Sequence, residues 1–155
     1  MTLFDFFQAE ELPVPTITPA QASDIAKTHF GLDAAVSALG SQQDANFLLR
    51  DTNGDSLGVL KIANPAFSRI ELEAQDAAAA HIRTTEPDVR TATSLDLAGV
   101  APIAELSSDD GTVLYARIIA HLAGGTMSGD QYVTPARAAA LGTLAGRTVR
   151  ALGGF

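Results

Sequence analysis

Lys61 and the two glutamates downstream of it, Glu71 and Glu73, are the residues whose types and spacing best suit chemistry. The lysine sits late in the run Leu57-Gly58-Val59-Leu60-Lys61-Ile62-Ala63, which reads as a buried strand. The glutamates fall in the first turns of an amphipathic helix opening near Ser68. A charged ammonium is costly to bury without a partner. A strand lysine steadied by a helix carboxylate is a recurring way to hold a triphosphate, the acid aiming the ammonium at phosphate oxygens. The only other lysine, Lys27, lies on a helix face that reads as solvated, so Lys61 is the cation to explain. A plainer alternative stands beside this one. Lys61 can be a solvated edge-strand lysine that discourages unwanted pairing. Glu71 can be the capping partner of Ser68, and Glu73 a first-turn acid favoured by the helix dipole.

The composition narrows the function classes. At 155 residues the chain has the length of one domain. Apolar residues make up 46% and aromatic residues 6%, so the core must be built from Ala, Val, Leu and Ile with a few Phe. A net charge of −8 argues against a nucleic-acid or anionic-membrane surface. The chain has no cysteine, which removes disulfides and thiolate metal sites and fits a cytoplasmic protein. No apolar run approaches the roughly 20 residues needed to span a bilayer, and the N-terminus lacks the basic and apolar regions of a secretory leader.

The elements that must position Lys61 can be read in order. Residues 1–15 form an N-terminal tail carrying Phe4, Phe6 and Phe7. Thr18-Pro19 is a helix start, and Gly31 its C-cap. His29 reads as a last-turn or solvated residue, not a ligand. Strands are expected over 34–39, 46–51 and 56–63, with the second and third joined at Asn53-Gly54, where both residues tolerate positive φ. Asn64-Pro65 ends the third strand. Ser68 and Glu71 match a capping box for a helix running to about Arg83, with an apolar stripe through Ile70, Leu72, Ala77 and Ala80. A short strand is expected over 93–97. A second hairpin, 101–106 and 112–119, turns at Asp109-Asp110-Gly111, where the paired acids read as turn residues. Thr134-Pro135 opens a last helix with the stripe Ala138, Leu141, Leu144 and Val149. No GxxxxGK[ST] loop, GxGxxG fingerprint, metal-spaced cluster or nucleophile–base pair stands out.

This order of elements resembles the small lobe of the aminoglycoside phosphotransferase-like kinases, the group that includes choline, homoserine and hydroxylysine kinases. Four segments carry the resemblance: Gly40-Ser41-Gln42-Gln43-Asp44-Ala45-Asn46-Phe47-Leu48-Leu49, Val59-Leu60-Lys61-Ile62-Ala63-Asn64, Glu73-Ala74-Gln75, and Arg117-Ile118-Ile119-Ala120-His121-Leu122-Ala123-Gly124. The last is similar to the family's hinge strand, with Ala123 where the family often has proline. Within the group the chain looks most like the lobe of hydroxylysine kinase and, equally, the phosphotransferase lobe fused to class III aminotransferases.

The resemblance implies an α+β fold: a protein-kinase-like N-terminal lobe, a five-stranded antiparallel sheet with a packed helix, and flanking N- and C-terminal helices. The lobe would cover 16–122, and 123–155 would be the hinge and the first helix toward a second lobe. The implied cofactor is ATP or GTP with Mg2+, and the acceptor a small hydroxylated amino-acid-like or aminoalcohol-like molecule. Lys61 would contact the α/β-phosphates with Glu73 orienting it, and the turn Ser41, Gln42, Gln43 and Asp44 would lie over the phosphates. Backbone groups of Ile119, Ala120 and His121 would meet the purine, with Leu39, Phe47 and Val59 sandwiching it. The family's catalytic aspartate and metal ligands belong to a second lobe with no counterpart in this sequence, so the chain by itself is expected to be inactive. Two other readings stay open. One is a non-catalytic binding or assembly module, forming a homodimer through an exposed apolar face. The other is a carrier or steroid-binding α+β domain.

Overall fold

Local capping chemistry starts the first helix. In the computed structural model, which describes residues 14–41, 43–107, 111–124 and 132–155, α1 spans Pro19–Phe30. Thr18 Oγ1 accepts from the Gln21 amide while the Gln21 side chain accepts from the Thr18 amide, a reciprocal capping box. Gly31 closes the helix in the left-handed conformation at φ 68°. Residues 1–13, Gln42, Asp109 and Asp110 lie outside the described residues.

Five strands follow: β1 Ala35–Leu39, β2 Ala45–Arg50, β3 Ser56–Ile62, β4 Ala104–Ser107 and β5 Val113–Ile119. All neighbours are antiparallel, in the order β1-β2-β3-β5-β4, which places β3 at the centre. Helix α2, Arg69–Thr85, lies between β3 and β4 in sequence, and α3, Pro135–Leu152, ends the chain. Among the described residues the fold is thus α+β, with one antiparallel sheet and three helices. Among the described residues no helix is long and apolar enough to cross a membrane.

Some elements differ from the sequence expectation. β4 begins at Ala104, not 101, because Pro102 has no N–H to give the ladder. The strand expected over 93–97 is a single bridge, Ser94 to Ile119, supported by the Leu95 amide donating to the Ile118 carbonyl at 2.8 Å. Helix α2 runs two residues past Arg83. Its expected stripe does not hold at Ile70, which is 76% exposed, while Leu72 is buried. At 100° per residue these two positions point in opposite directions, and the core takes only one of them.

The described chain divides into two units: residues up to Leu72 with Ser94–His121, and Glu73–Thr93 with residues from Leu122 onward. Where the sequence suggested one boundary near 122, the chain crosses at 72/73, 93/94 and 121/122. The core of the first unit lies on one face of the sheet. Phe47, Leu49, Leu60, Ile62, Ala116 and Ile118 pack there against Ala22, Ala26 and Phe30 of α1. In β3, Gly58 has a φ of 138°, and a Cβ there would stand 2.8 Å from Ile118 Cγ2. A bulge between Leu49 and Arg50 accompanies it.

The second unit has a small cluster of Ile82, Val89 and Ala151. His81 Nε2 lies 3.0 Å from the Ala151 carbonyl oxygen. The Arg147 guanidinium meets Glu86 at 2.7 Å and Asp88 at 3.2 Å, and these bonds, the Glu86 one first, raise its already high pKa. The stripe expected on α3 is uncovered: Leu141, Leu144 and Val149 are exposed, and so is Leu152 beyond it.

Candidate functional site

Strand register assembles the site. Phe47, Leu60 and Ile118 are aligned across β2, β3 and β5 on the α1 face. Side chains alternate along a strand, so the residues between them point the other way. On that second face the aligned residues are Leu39, Asn46, Lys61 and Arg117 in one row, and Ser37, Leu48, Val59 and Ile119 in the next. Lys61 therefore occupies the central strand, not an edge, on the face opposite α1.

The lysine is held by an acid. Lys61 Nζ donates to Asp44 Oδ2, with the two side chains 23% and 13% exposed. Asp44 stands opposite Ala63 in the continued register and so reaches Lys61 along the diagonal. Its other oxygen, Oδ1, accepts the Asn64 amide at 2.9 Å. The Asp44 amide in turn donates to Ser41 Oγ at 3.1 Å, closing the β1–β2 turn on itself. Asn64 is 1% exposed. Its Nδ2 donates to the Gln43 carbonyl at 3.1 Å, and its Oδ1 accepts the Ala66 amide at 2.9 Å. The turn before β2 and the exit of β3 are thus tied together by side chain-to-backbone bonds through Asn64, just past the lysine.

Two further polar groups share the face. Arg117, 5% exposed and directly opposite Lys61, donates from Nη1 to the Leu72 carbonyl at 3.0 Å. Asn46 stands opposite Lys61 on the other side, and its Oδ1 is buried without a hydrogen-bond donor among the described residues. Ser68 Oγ and N both donate to Glu71 Oε2, at 2.8 and 2.7 Å, which makes Glu71 the capping partner of α2. The bond from the Ser68 backbone, then that from its side chain, holds the Glu71 carboxyl below the usual range.

Of the residues expected to form a site, Ser41, Gln43, Asp44, Leu39, Val59, Lys61 and Ile119 fall in the turn or on this face. Ala120 and His121 follow directly at the end of β5. Phe47 does not join them. It is 3% exposed in the core beneath α1, on the opposite face from Leu39 and Val59, and cannot sandwich a ring with them. Glu73 lies on α2 within the second unit. Gln42 is outside the described residues. The sequence reading missed Asn46 and Asn64 and read Arg117 only as part of a hinge strand. For Asn46 the available signal was parity with Lys61 once a hairpin at Asn53-Gly54 is assumed. For Asn64 it was the Asn-Pro pair at a strand exit.

Among the described residues no group of three or more His, Asp or Glu could hold a metal ion. A separate open cavity of about 540 Å3 lies against α1 and the β4–β5 hairpin, lined by Ile17, Asp24, Ile25, His29, Glu105 and Leu114. It contains none of the expected site residues. Comparison with family models, curated proteins and solved structures finds no match for this chain.

Proposed function

We propose that residues 16–122 form the nucleotide-binding lobe of a phosphotransferase, similar to those of the aminoglycoside phosphotransferase and choline kinase group. The reaction would pass a phosphoryl group from ATP or GTP to a small hydroxylated acceptor. The observation that carries this reading is Lys61 itself. It is the one lysine in the sheet, and it stands at mid-sheet on the face away from α1, with its ammonium at the β1–β2 turn. A phosphate chain needs this kind of presented cation, with backbone amides of a turn close by. Helix α2 between β3 and β4, and the five-stranded antiparallel sheet, are compatible with the architecture of such a lobe. Leu39 and Ile119 on the same face offer apolar surface for a base, with Val59 buried beside Ile119. Mg2+ would be held largely by groups of a second lobe.

The test is nucleotide titration of the chain and of a Lys61→Ala version, followed calorimetrically. The reading expects weak binding that falls at least about tenfold in the variant. Equal binding by both removes Lys61 from the function. A second reading is favoured by one observation, the uncovered stripe Leu141, Leu144, Val149 and Leu152 on α3. In it the chain is an assembly module that pairs copies through this apolar face. Light scattering over a concentration series decides it: a mass that stays monomeric excludes pairing.

A further inference from the structure

The acid that holds Lys61 comes from the turn proposed to cover a phosphate, and it occupies the site where a phosphate would bind. We propose that Asp44 is a built-in counter-anion for Lys61, so that an anionic ligand gains the ammonium only by taking it from Asp44. The inference deepens the reading above and rests on its anion-binding part.

Three observations converge on this role. First, Asp44 is anchored independently of the lysine, through Asn64 N at 2.9 Å and through Ser41 Oγ at 3.1 Å on its own amide. The carboxylate is therefore fixed and the lysine comes to it. Second, Lys61 reaches Asp44 along a diagonal although Asn46 is its register partner directly opposite, with Oδ1 buried and without a donor among the described residues. A charge-assisted bond is about twice as strong as a neutral one, which is why the ammonium takes the carboxylate and leaves the amide oxygen unsatisfied. Third, the chain contains its own control. Lys27 pairs with Asp33 at 3.2 Å with side chains 66% and 83% exposed, whereas the Lys61 pair is 23% and 13% exposed. Water screens the first pair and leaves the second strong enough to compete with a ligand.

The test compares the full chain with Asp44→Asn, which keeps the shape and the acceptor for the Asn64 amide but removes the charge. Tripolyphosphate and ATP are titrated against both. In parallel, acetylation by acetic anhydride is read at Lys61 relative to Lys27 by peptide mass spectrometry. The expected result is tripolyphosphate binding about tenfold tighter in the variant, together with faster relative labelling of Lys61. Equal or weaker tripolyphosphate binding in the variant, or no binding by either protein, overturns the proposal. ATP binding no tighter than tripolyphosphate, with the variant still ahead, overturns the nucleotide reading and supports the counter-anion.

Should the variant fail to fold, the wild-type chain answers alone. Saturating tripolyphosphate should move the Asp44 side-chain carboxyl 13C resonance as the carboxylate loses its partner, and an unmoved resonance in the bound protein overturns the proposal.

Discussion

The guanidinium of Arg117 donates to the main-chain carbonyl of Leu72 at 3.0 Å, so the middle of β5 is fastened to the first turn of α2. Leu72 itself is 1% exposed and packs with Ala63 and Ile103. A buried cation whose strand neighbour is Lys61 must be kept by such bonds, since two like charges face each other across β3 and β5.

Arg117→Ala is therefore expected to destabilise the protein by about 3 kcal/mol, since it removes a charged hydrogen bond to a buried carbonyl and leaves a void. Urea unfolding of the two proteins measures it. A loss under about 0.5 kcal/mol would show that the bond contributes little.

Gly58→Ala should cost about 3 kcal/mol, because the new methyl meets Ile118 Cγ2 at 2.8 Å and the Ile119 carbonyl oxygen at 3.0 Å on a backbone at φ 138°. Gly40→Ala, with open space around it, is the matched control and should leave the melting temperature within a degree or two.

Thr18→Ala removes one half of a reciprocal capping box and should cost about 1 kcal/mol. The loss should appear as earlier fraying of α1, measured by amide exchange in 19–22, and Thr18→Ser should restore most of it.

Glu71 supplies a pH dependence with a definite sign. Its folded carboxyl titrates lower than in the unfolded chain, owing to the Ser68 bonds. Its contribution is present above the unfolded carboxylate range and is lost as pH falls through the lower, folded value. Acid titration of helical signal should be shallower in Glu71→Gln than in the wild type, and identical curves would remove the cap from the acid response.

Much of the backbone was legible because the relevant signals are local. Thr18-Pro19 and Gly31 bound α1 as expected, Asn53-Gly54 turns the β2–β3 hairpin with Gly54 at φ 88°, and Thr134-Pro135 opens α3. Side-chain partnership was less legible. The Lys61–Asp44 pair spans 17 residues and depends on a diagonal across a register that no single segment specifies. Phe47 illustrates the same limit. One position of parity separates it from Asn46, and that one step moves it from the lysine face to the core beneath α1. Lys61 stands out in the sequence as the residue to explain, while Asp44 reads there only as part of the turn expected over the phosphates.

The three crossings between units also bear on how this protein can be divided. The second unit is stitched from two separate lengths of chain, 73–93 and 122 onward, so no single cut releases it intact. A truncation ending at His121 would retain Glu86, His81 and Ile82 while discarding Arg147 and Ala151, their partners. Such a piece would carry an orphaned helix surface, and a minimal fragment built to study Lys61 alone would first have to be given something to cover it.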